Sequence, residues 1–326
     1  MRRRYGQKAG TGGRMALILI LGTAAFQAGS PWWASAQNRS PVPIAPPPLM
    51  GPAAAAYERE STTTARGGDP EQVKPLLAGL MIVSMDCALK VTPEDGSFLD
   101  RLPPGGVWIR PAGKPENLPL LVEMLRRAEQ RAGRPMLIGA DPWDLTTFMS
   151  GAARKPLPPL PPLMAVSAAG GDRHAAAWAE TAALTMRAMG LDWMPGPDLS
   201  LWPERPGSAA STRCIGSRPY EVARIGAAIM RGMQDRGVVT AAWGFPGGSW
   251  TRDRTQPPVL TTPPEAWSDQ DGTPYLEVCR TASMVHVGDT EVPLWSGGPA
   301  MLSSTIIQDL LRRQLGFRGI VLAGPA

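Results

Sequence analysis

Beyond Glu71 the chain alternates short, dense apolar runs with longer stretches in which apolar residues recur every three or four positions. Compact apolar runs bounded by Gly, Pro or Asp are read as buried strands, and a 3.6-residue period sustained over ten or more residues as amphipathic helix. On this basis strands are predicted at Leu80–Met85, Gly106–Arg110, Pro135–Ala140, Asp192–Pro195, Val238–Ala242, Ala282–Val287 and Gly319–Leu322. Helices are predicted near Glu116–Arg131, Asp172–Met189, Tyr220–Arg236, Pro274–Arg280 and Ser303–Leu315. The last is the best specified: Ser303 stands where a cap is needed, Ile306, Ile307, Leu310, Leu311 and Leu315 form one stripe, and Gly316 supplies a stop. Strand and helix in strict alternation imply parallel βα units. Their number points to an α/β fold of the (β/α)8 TIM type, incomplete, with about seven strands.

The first 70 residues follow a different pattern. Residues 15–26 are an apolar run behind Arg2, Arg3, Arg4, Lys8 and Arg14, and Ala34-Ser35-Ala36 precedes Gln37. A basic start, a short apolar core and a small-residue site describe a secretory leader over residues 1–36. The run is shorter than the roughly 20 apolar residues of a membrane span, so a membrane association is expected only through an uncleaved leader. Residues 37–70 are rich in Pro and Ala, including Pro46-Pro47-Pro48, and read as a linker. The barrel domain is expected over 71–326, exported to a periplasmic or extracellular location.

Charge changes the picture once the leader is set aside. The whole chain carries 33 Lys+Arg against 28 Asp+Glu, but residues 1–36 hold five of those cations and no acid, so the remainder is neutral. That removes any global argument for nucleic acid. The three cysteines, Cys87, Cys214 and Cys279, are far apart with no metal-type spacing, so neither a disulfide scaffold nor a metal centre is read, and no cofactor motif is present.

Several segments, in order, resemble the N-terminal domain of family 3 glycoside hydrolases, in particular its bacterial β-N-acetylhexosaminidase branch. The longest runs from Gly298-Pro299-Ala300-Met301-Leu302-Ser303 through Leu310-Leu311-Arg312-Arg313-Gln314-Leu315-Gly316-Phe317-Arg318-Gly319 into a strand. Gly105-Gly106-Val107-Trp108-Ile109, Leu137-Ile138-Gly139-Ala140-Asp141, Gly190-Leu191-Asp192-Trp193 through Asp198, Arg213-Cys214-Ile215-Gly216 and Phe245-Pro246-Gly247 resemble further family segments.

The same resemblance implies that the family's chemistry has gone. Where the family has Lys-His-Phe-Pro-Gly-His-Gly, with sugar-binding Lys and first His and an acid/base second His, this chain reads Trp243-Gly244-Phe245-Pro246-Gly247-Gly248-Ser249. Where the family places its Asp nucleophile after the last strand, Ala323-Gly324-Pro325 stands. Glycoside hydrolysis needs a proton donor at the leaving oxygen and, in retaining enzymes, a carboxylate about 5 Å away. Gly248 and Gly324 can supply neither, so no catalytic residue is assigned.

Candidate substrate contacts remain. Asp141, Asp198 and Arg213 match family pocket positions and lie after predicted strands, where barrel enzymes build their sites. Carboxylates accept and guanidinium donates hydrogen bonds to sugar hydroxyls. The chain holds 11 Trp against 5 Phe and 4 Tyr, and Trp143, Trp202, Trp243 and Trp250 are expected in loops after strands, either stacking on a pyranose or plugging the barrel mouth. His286 is expected to end its strand beside Asp289 and matches a family His. The Pro-rich stretch Lys155–Met164 is read as a rigid loop. The expected function is binding of a glycan, with peptidoglycan-derived fragments one class, or of a cell-wall partner, without the inherited hydrolysis. The alternatives are a hydrolase using relocated carboxylates (Asp141, Asp144 or Asp198) and a truncated product needing a complementing chain. At the seam, Leu80–Met85 is expected either to pair directly with Gly319–Leu322 or to leave both edges open to self-association.

Overall fold

The computed structural model describes residues 17–21, 70–87, 93–110, 112–150, 158–202, 213–248 and 256–324. The Ala34-Ser35-Ala36 site, nearly all of the linker and Trp250 lie outside these residues.

Seven strands run parallel in chain order: β2 (Met81–Asp86), β3 (Gly106–Arg110), β4 (Leu137–Gly139), β5 (Trp193–Met194), β6 (Val239–Phe245), β7 (Met284–Val287) and β8 (Ile320–Ala323). This is the incomplete TIM-type α/β architecture anticipated from the strand and helix alternation. Helices cover the outside: α1 (Pro70–Gly79), α2 (Pro93–Arg101), α3 (Leu118–Ala132), α4 (Pro142–Ser150), α5 (Leu163–Ala168), α6 (Asp172–Ala188), α7 (Pro219–Gln234), α8 (Pro264–Trp267) and α9 (Thr273–Val278). The segment expected as an ordinary helix from Ser303 is instead a π-helical turn series over Thr305–Gln314. The Ser303 hydroxyl accepts the Ile306 N–H at 3.3 Å, as a cap would, and Leu315 N–H reaches back five residues to Leu310.

The seam differs from both sequence-based alternatives. β2 and β8 are not paired with each other, and neither edge is open. A strand β1 (Leu17–Leu21) lies between them, antiparallel to both, and closes the sheet. Seven strands could close directly only with a smaller circumference and altered tilt. An apolar five-residue segment supplies the eighth position instead.

Period-two alternation sorts the strand residues into two cores. Val83, Val107, Ile109, Ile138, Met194, Val285, Val287 and Val321 point outward and pack under the helices in the main core. Ile82, Trp193, Ala241, Trp243, Met284 and Leu322 point inward and fill the lumen, with Trp108, Leu137 and Ile320 against them. The barrel interior is a packed core, as in closed parallel barrels generally. At its base, Arg126 of α3 donates to the Asp192 carboxylate and the Gly190 carbonyl, and Asp192 accepts the Ile138 N–H at 2.9 Å, tying β4 to β5. The Pro-rich stretch is built in as well: Leu160 is buried, and the Trp178 indole N–H donates to the Pro161 carbonyl at 2.9 Å.

Candidate functional site

The site grows from the turn after β4. Pro at the first helical position pre-sets its backbone angle, and a preceding Asp can accept from the exposed amides of the first turn. Asp141-Pro142 has both features: Asp141 Oδ1 accepts the Asp144 N–H at 2.9 Å, and α4 begins at Pro142. This places Asp141, Trp143 and Asp144 on one turn at the mouth of the barrel. Arg213, from the segment that leads into α7, binds both carboxylates, Nη1 to Asp141 at 3.0 Å and Nη2 to Asp144 at 2.5 Å. Its guanidinium also lies 5.3 Å from the centre of the Trp143 ring. Asp141 is the deep end of this group at 15% side-chain exposure and Arg213 the open end at 39%.

Asp198 lies beside it on a short bridge to Trp243. Its Oδ1 accepts the Ser200 N–H at 2.9 Å, and the Cys214 thiol faces its Oδ2 at 3.8 Å. Burial raises the pKa of Asp198, opposed by the Ser200 hydrogen bonds, the Cys214 thiol and the charge of Arg213. Burial also raises that of Asp141, with Arg213 pulling the other way and Asp144 adding to the rise. Burial by itself would lower Arg213, but the Asp144 hydrogen bond and the charges of Asp141, Asp144 and Asp198 outweigh it and raise its pKa. The group therefore holds one fixed cation among three carboxylates, two of them biased toward their protonated form.

The neighbouring loop is closed at two glycines. Between Ala242 and Phe245, β6 carries a one-residue bulge relative to β7. Gly244 sits in that bulge at φ +90°, and a Cβ there would lie 2.3 Å from Ser200 Oγ, 3.2 Å from Tyr275 Oη and 3.3 Å from Asp198 Oδ1. Ser200 and Tyr275 thus occupy the space a side chain at position 244 would need. Gly248, at φ +116°, is equally closed: a Cβ would meet Thr290 Cγ2 at 2.8 Å and the 259–260 backbone at 3.3 Å. Asp271 pins this loop, accepting the Thr262 hydroxyl and, at 3.4 Å, the Gly248 N–H.

Trp243 and His286 form a second grouping, inside the barrel. Expected in a loop, Trp243 belongs to β6, because the bulge falls after it and keeps its inward phase. It is 9% exposed and stacks on His286 with ring centres 3.6 Å apart and planes 3° from parallel. Trp108 meets its edge at 5.5 Å and Trp193 beyond it at 6.4 Å. His286 is the third of four residues in β7, not its end, and is fully buried. Trp143, also expected in a loop, is in the first turn of α4.

The structure therefore brings Asp141, Trp143, Asp198 and Arg213 together, adds Asp144, and sets Trp243 with His286 apart in the lumen. Ser200 and Tyr275 were not anticipated. Tyr275 donates to the Trp243 carbonyl at 3.1 Å and is wholly buried, which no local sequence feature signals. Ser200, two residues after Asp198, had a readable cue in the Asp-x-Ser turn pattern. Among the described residues no group of three or more His, Cys, Asp or Glu is placed to hold a metal. The three cysteines are buried and unbridged, and burial pushes the thiols of Cys87 and Cys279 up to about 11 and about 12.

Comparison with known proteins agrees with this architecture. The model of the glycosyl hydrolase family 3 N terminal domain matches residues 92–324. A β-hexosaminidase of Stenotrophomonas maltophilia is 32% identical over 201 residues, covering 59% of this chain and 58% of that protein. A β-N-acetylglucosaminidase/β-glucosidase of Cellulomonas fimi is 28% identical over 174 residues, covering 49% of this chain and 31% of that protein. The chain thus spans 31% to 58% of these curated relatives. Among solved structures, a family 3 β-N-acetylglucosaminidase from Paenibacillus superposes with a TM-score of 0.64 at 24% identity, covering 78% of this chain and 49% of that one. A β-N-acetylhexosaminidase from Beutenbergia cavernae gives 0.62 at 23%, covering 76% and 77%. These matches and the parallel barrel with its retained segments converge: the chain belongs to the glycosyl hydrolase family 3 N-terminal domain family.

Proposed function

We propose that the protein is an exported family 3 barrel that binds a glycan, of the peptidoglycan or chitin-oligomer class, without hydrolysing it. The observation that carries this reading is the contrast between two parts of one barrel mouth. The Asp141, Asp144 and Arg213 cluster with Trp143 keeps partly exposed hydrogen-bonding groups beside an aromatic face. At Gly244 and Gly248 neighbouring side chains and backbone fill the volume that the family's histidines would require. Catalytic groups that act as a unit lose orders of magnitude in rate when one is removed, and here both the acid/base and nucleophile positions are glycine, Gly248 and Gly324. Calorimetric titration with N-acetylglucosamine oligomers and muropeptides tests it alongside an aryl N-acetylglucosaminide assay. Saturable binding that weakens at least tenfold in Arg213→Ala and Trp143→Ala, with no turnover above background, is the expected result.

The second reading is a hydrolase with relocated carboxylates. It draws on the raised pKa of Asp141 and Asp198, the property a general acid requires. Turnover that disappears in Asp141→Asn or Asp198→Asn would establish it and displace the binding-only reading.

A further inference from the structure

The polar rim of the barrel extends beyond the cluster around Arg213. Side chains alternate between lumen and helix layer along each strand, so Ile82 in the lumen sets Asp86 on the same face of β2, and Trp108 sets Arg110 on the same face of β3. Asp86 and Arg110 are the last residues of their strands and are register partners, which puts both at the C-terminal end of the barrel, where parallel barrels carry their sites. Arg110 Nε lies 3.5 Å from Asp86 Oδ1, with the two side chains 48% and 34% exposed. A contact of that length between solvent-open groups contributes little to the fold, and the backbone ladder already holds β2 against β3.

The same level continues onto the next strand. Trp108 pairs with Gly139, and two residues further along each segment stand Arg110 and Asp141. Neighbouring strands lie ~4.8 Å apart, so Asp86, Arg110 and Asp141 mark the rim across two strand spacings, about 10 Å. From Asp141 the row goes on through Arg213 to Asp144. Acid and cation alternate along it, and every member is at least partly exposed. Trp108, half-buried below Arg110 with its ring centre 5.5 Å from that of Trp243, gives this end of the row an aromatic floor. Alternating donors and acceptors beside aromatic surface match a chain of linked, hydroxyl-rich rings, and one pyranose cannot reach both ends.

We propose that Asp86 and Arg110 form a second sugar subsite, and that the ligand is an oligosaccharide of at least two linked rings laid from the Arg213 cluster toward β2. This rests on the glycan-binding reading and adds to it the length of the ligand. Arg213 with Asp141 and Asp144 holds one ring; Arg110 donates to hydroxyls of the next, and Asp86 accepts from them.

Calorimetric titration of the full chain with N-acetylglucosamine and with its β-1,4-linked dimer tests this. In the parent protein the dimer should bind at least tenfold more tightly than the monomer. In Arg110→Ala and in Asp86→Asn that ratio should fall below threefold, whereas in Arg213→Ala both sugars should weaken at least tenfold. Asp86 and Arg110 are open to solvent, so the unfolding midpoints of their variants should match that of the parent; if one variant fails to fold, the other decides. Equal affinities for the two sugars, both dependent on Arg213, would leave the glycan reading standing and overturn the second subsite. A tenfold ratio that survives both substitutions would overturn it as well. If neither sugar binds, the subsite falls, and the glycan reading falls with it only if muropeptides also fail to bind.

Discussion

Asp198 and Asp141 are the residues at which the site works against its own fold. Each carboxyl is raised by burial, so the folded state binds its proton more tightly than the unfolded chain does. Stability from such a group is fully present below the ordinary carboxylate value near ~3.9 and is lost as pH rises through the raised folded value. Asp198→Asn keeps an acceptor for the Ser200 N–H and removes the charge, so its denaturant midpoint should move less between pH 4 and pH 8 than that of the parent. A parent and variant with superimposable profiles would mean that Asp198 is not the titrating group. The glycines at 244 and 248 make an opposite kind of prediction. At φ +90° and with Ser200 Oγ 2.3 Å away, Gly244→Ala should cost about 2–4 kcal/mol by denaturant unfolding, combining backbone strain with overpacking. Gly248→His should likewise destabilise and should not create hydrolysis, which an aryl glycoside assay reads directly.

At the scale of elements, β6 is the strand that defines the mouth. Its bulge keeps Trp243 in the lumen and turns Phe245 outward to pack against Trp267 and Tyr275 at 6.0 and 5.2 Å. Truncating the plug by Trp243→Ala should cost about 3–5 kcal/mol in thermal or denaturant unfolding, the range for a buried aromatic that leaves a cavity. A loss under about 1 kcal/mol would show that the stack with His286 is not part of the core. Strands of this kind were legible in the sequence because their apolar runs are bounded by turn residues: Gly106–Arg110 is found as expected, and the helix over Asp172–Met189 ends one residue earlier, at Ala188. The bulge was not legible, since nothing in Trp243-Gly244-Phe245 tells a loop from a strand with one extra residue. α4 is absent from the sequence reading, although Asp141-Pro142 carries both of its start signals, because the family resemblance sets Asp141-Pro142-Trp143-Asp144 in a loop after the strand. The cluster of Asp141, Asp198 and Arg213 was visible only through family resemblance. Its partner Asp144 needed the helix turn that brings it beneath the guanidinium. β1 was unreadable for a physical reason: a run apolar at every position suits a leader and a doubly buried strand equally well.

The whole molecule depends on how the sheet is closed, and here the length of the chain that remains attached decides its behaviour. With Leu17–Leu21 in place, β2 and β8 each have a paired strand on both sides. Without it, two parallel edges with buried apolar residues face solvent, a template for pairing with another chain. The surface beside that edge already leans the same way, because Leu76 and Leu77 of α1 and Leu80 just before β2 are 71%, 54% and 38% exposed. The processed form beginning at Gln37 should therefore associate, while the full chain should sediment as a monomer in the same buffer. Because the contact would rest on strand pairing and apolar burial and not on charge, the association should persist or strengthen as salt is raised from ~0.1 M to ~1 M, where exposed ion pairs are screened away. Sedimentation velocity across that salt range, on both forms at matched concentration, separates the possibilities. A processed form that stays monomeric with a cooperative melt would mean that seven strands close by themselves and that β1 is dispensable to the barrel.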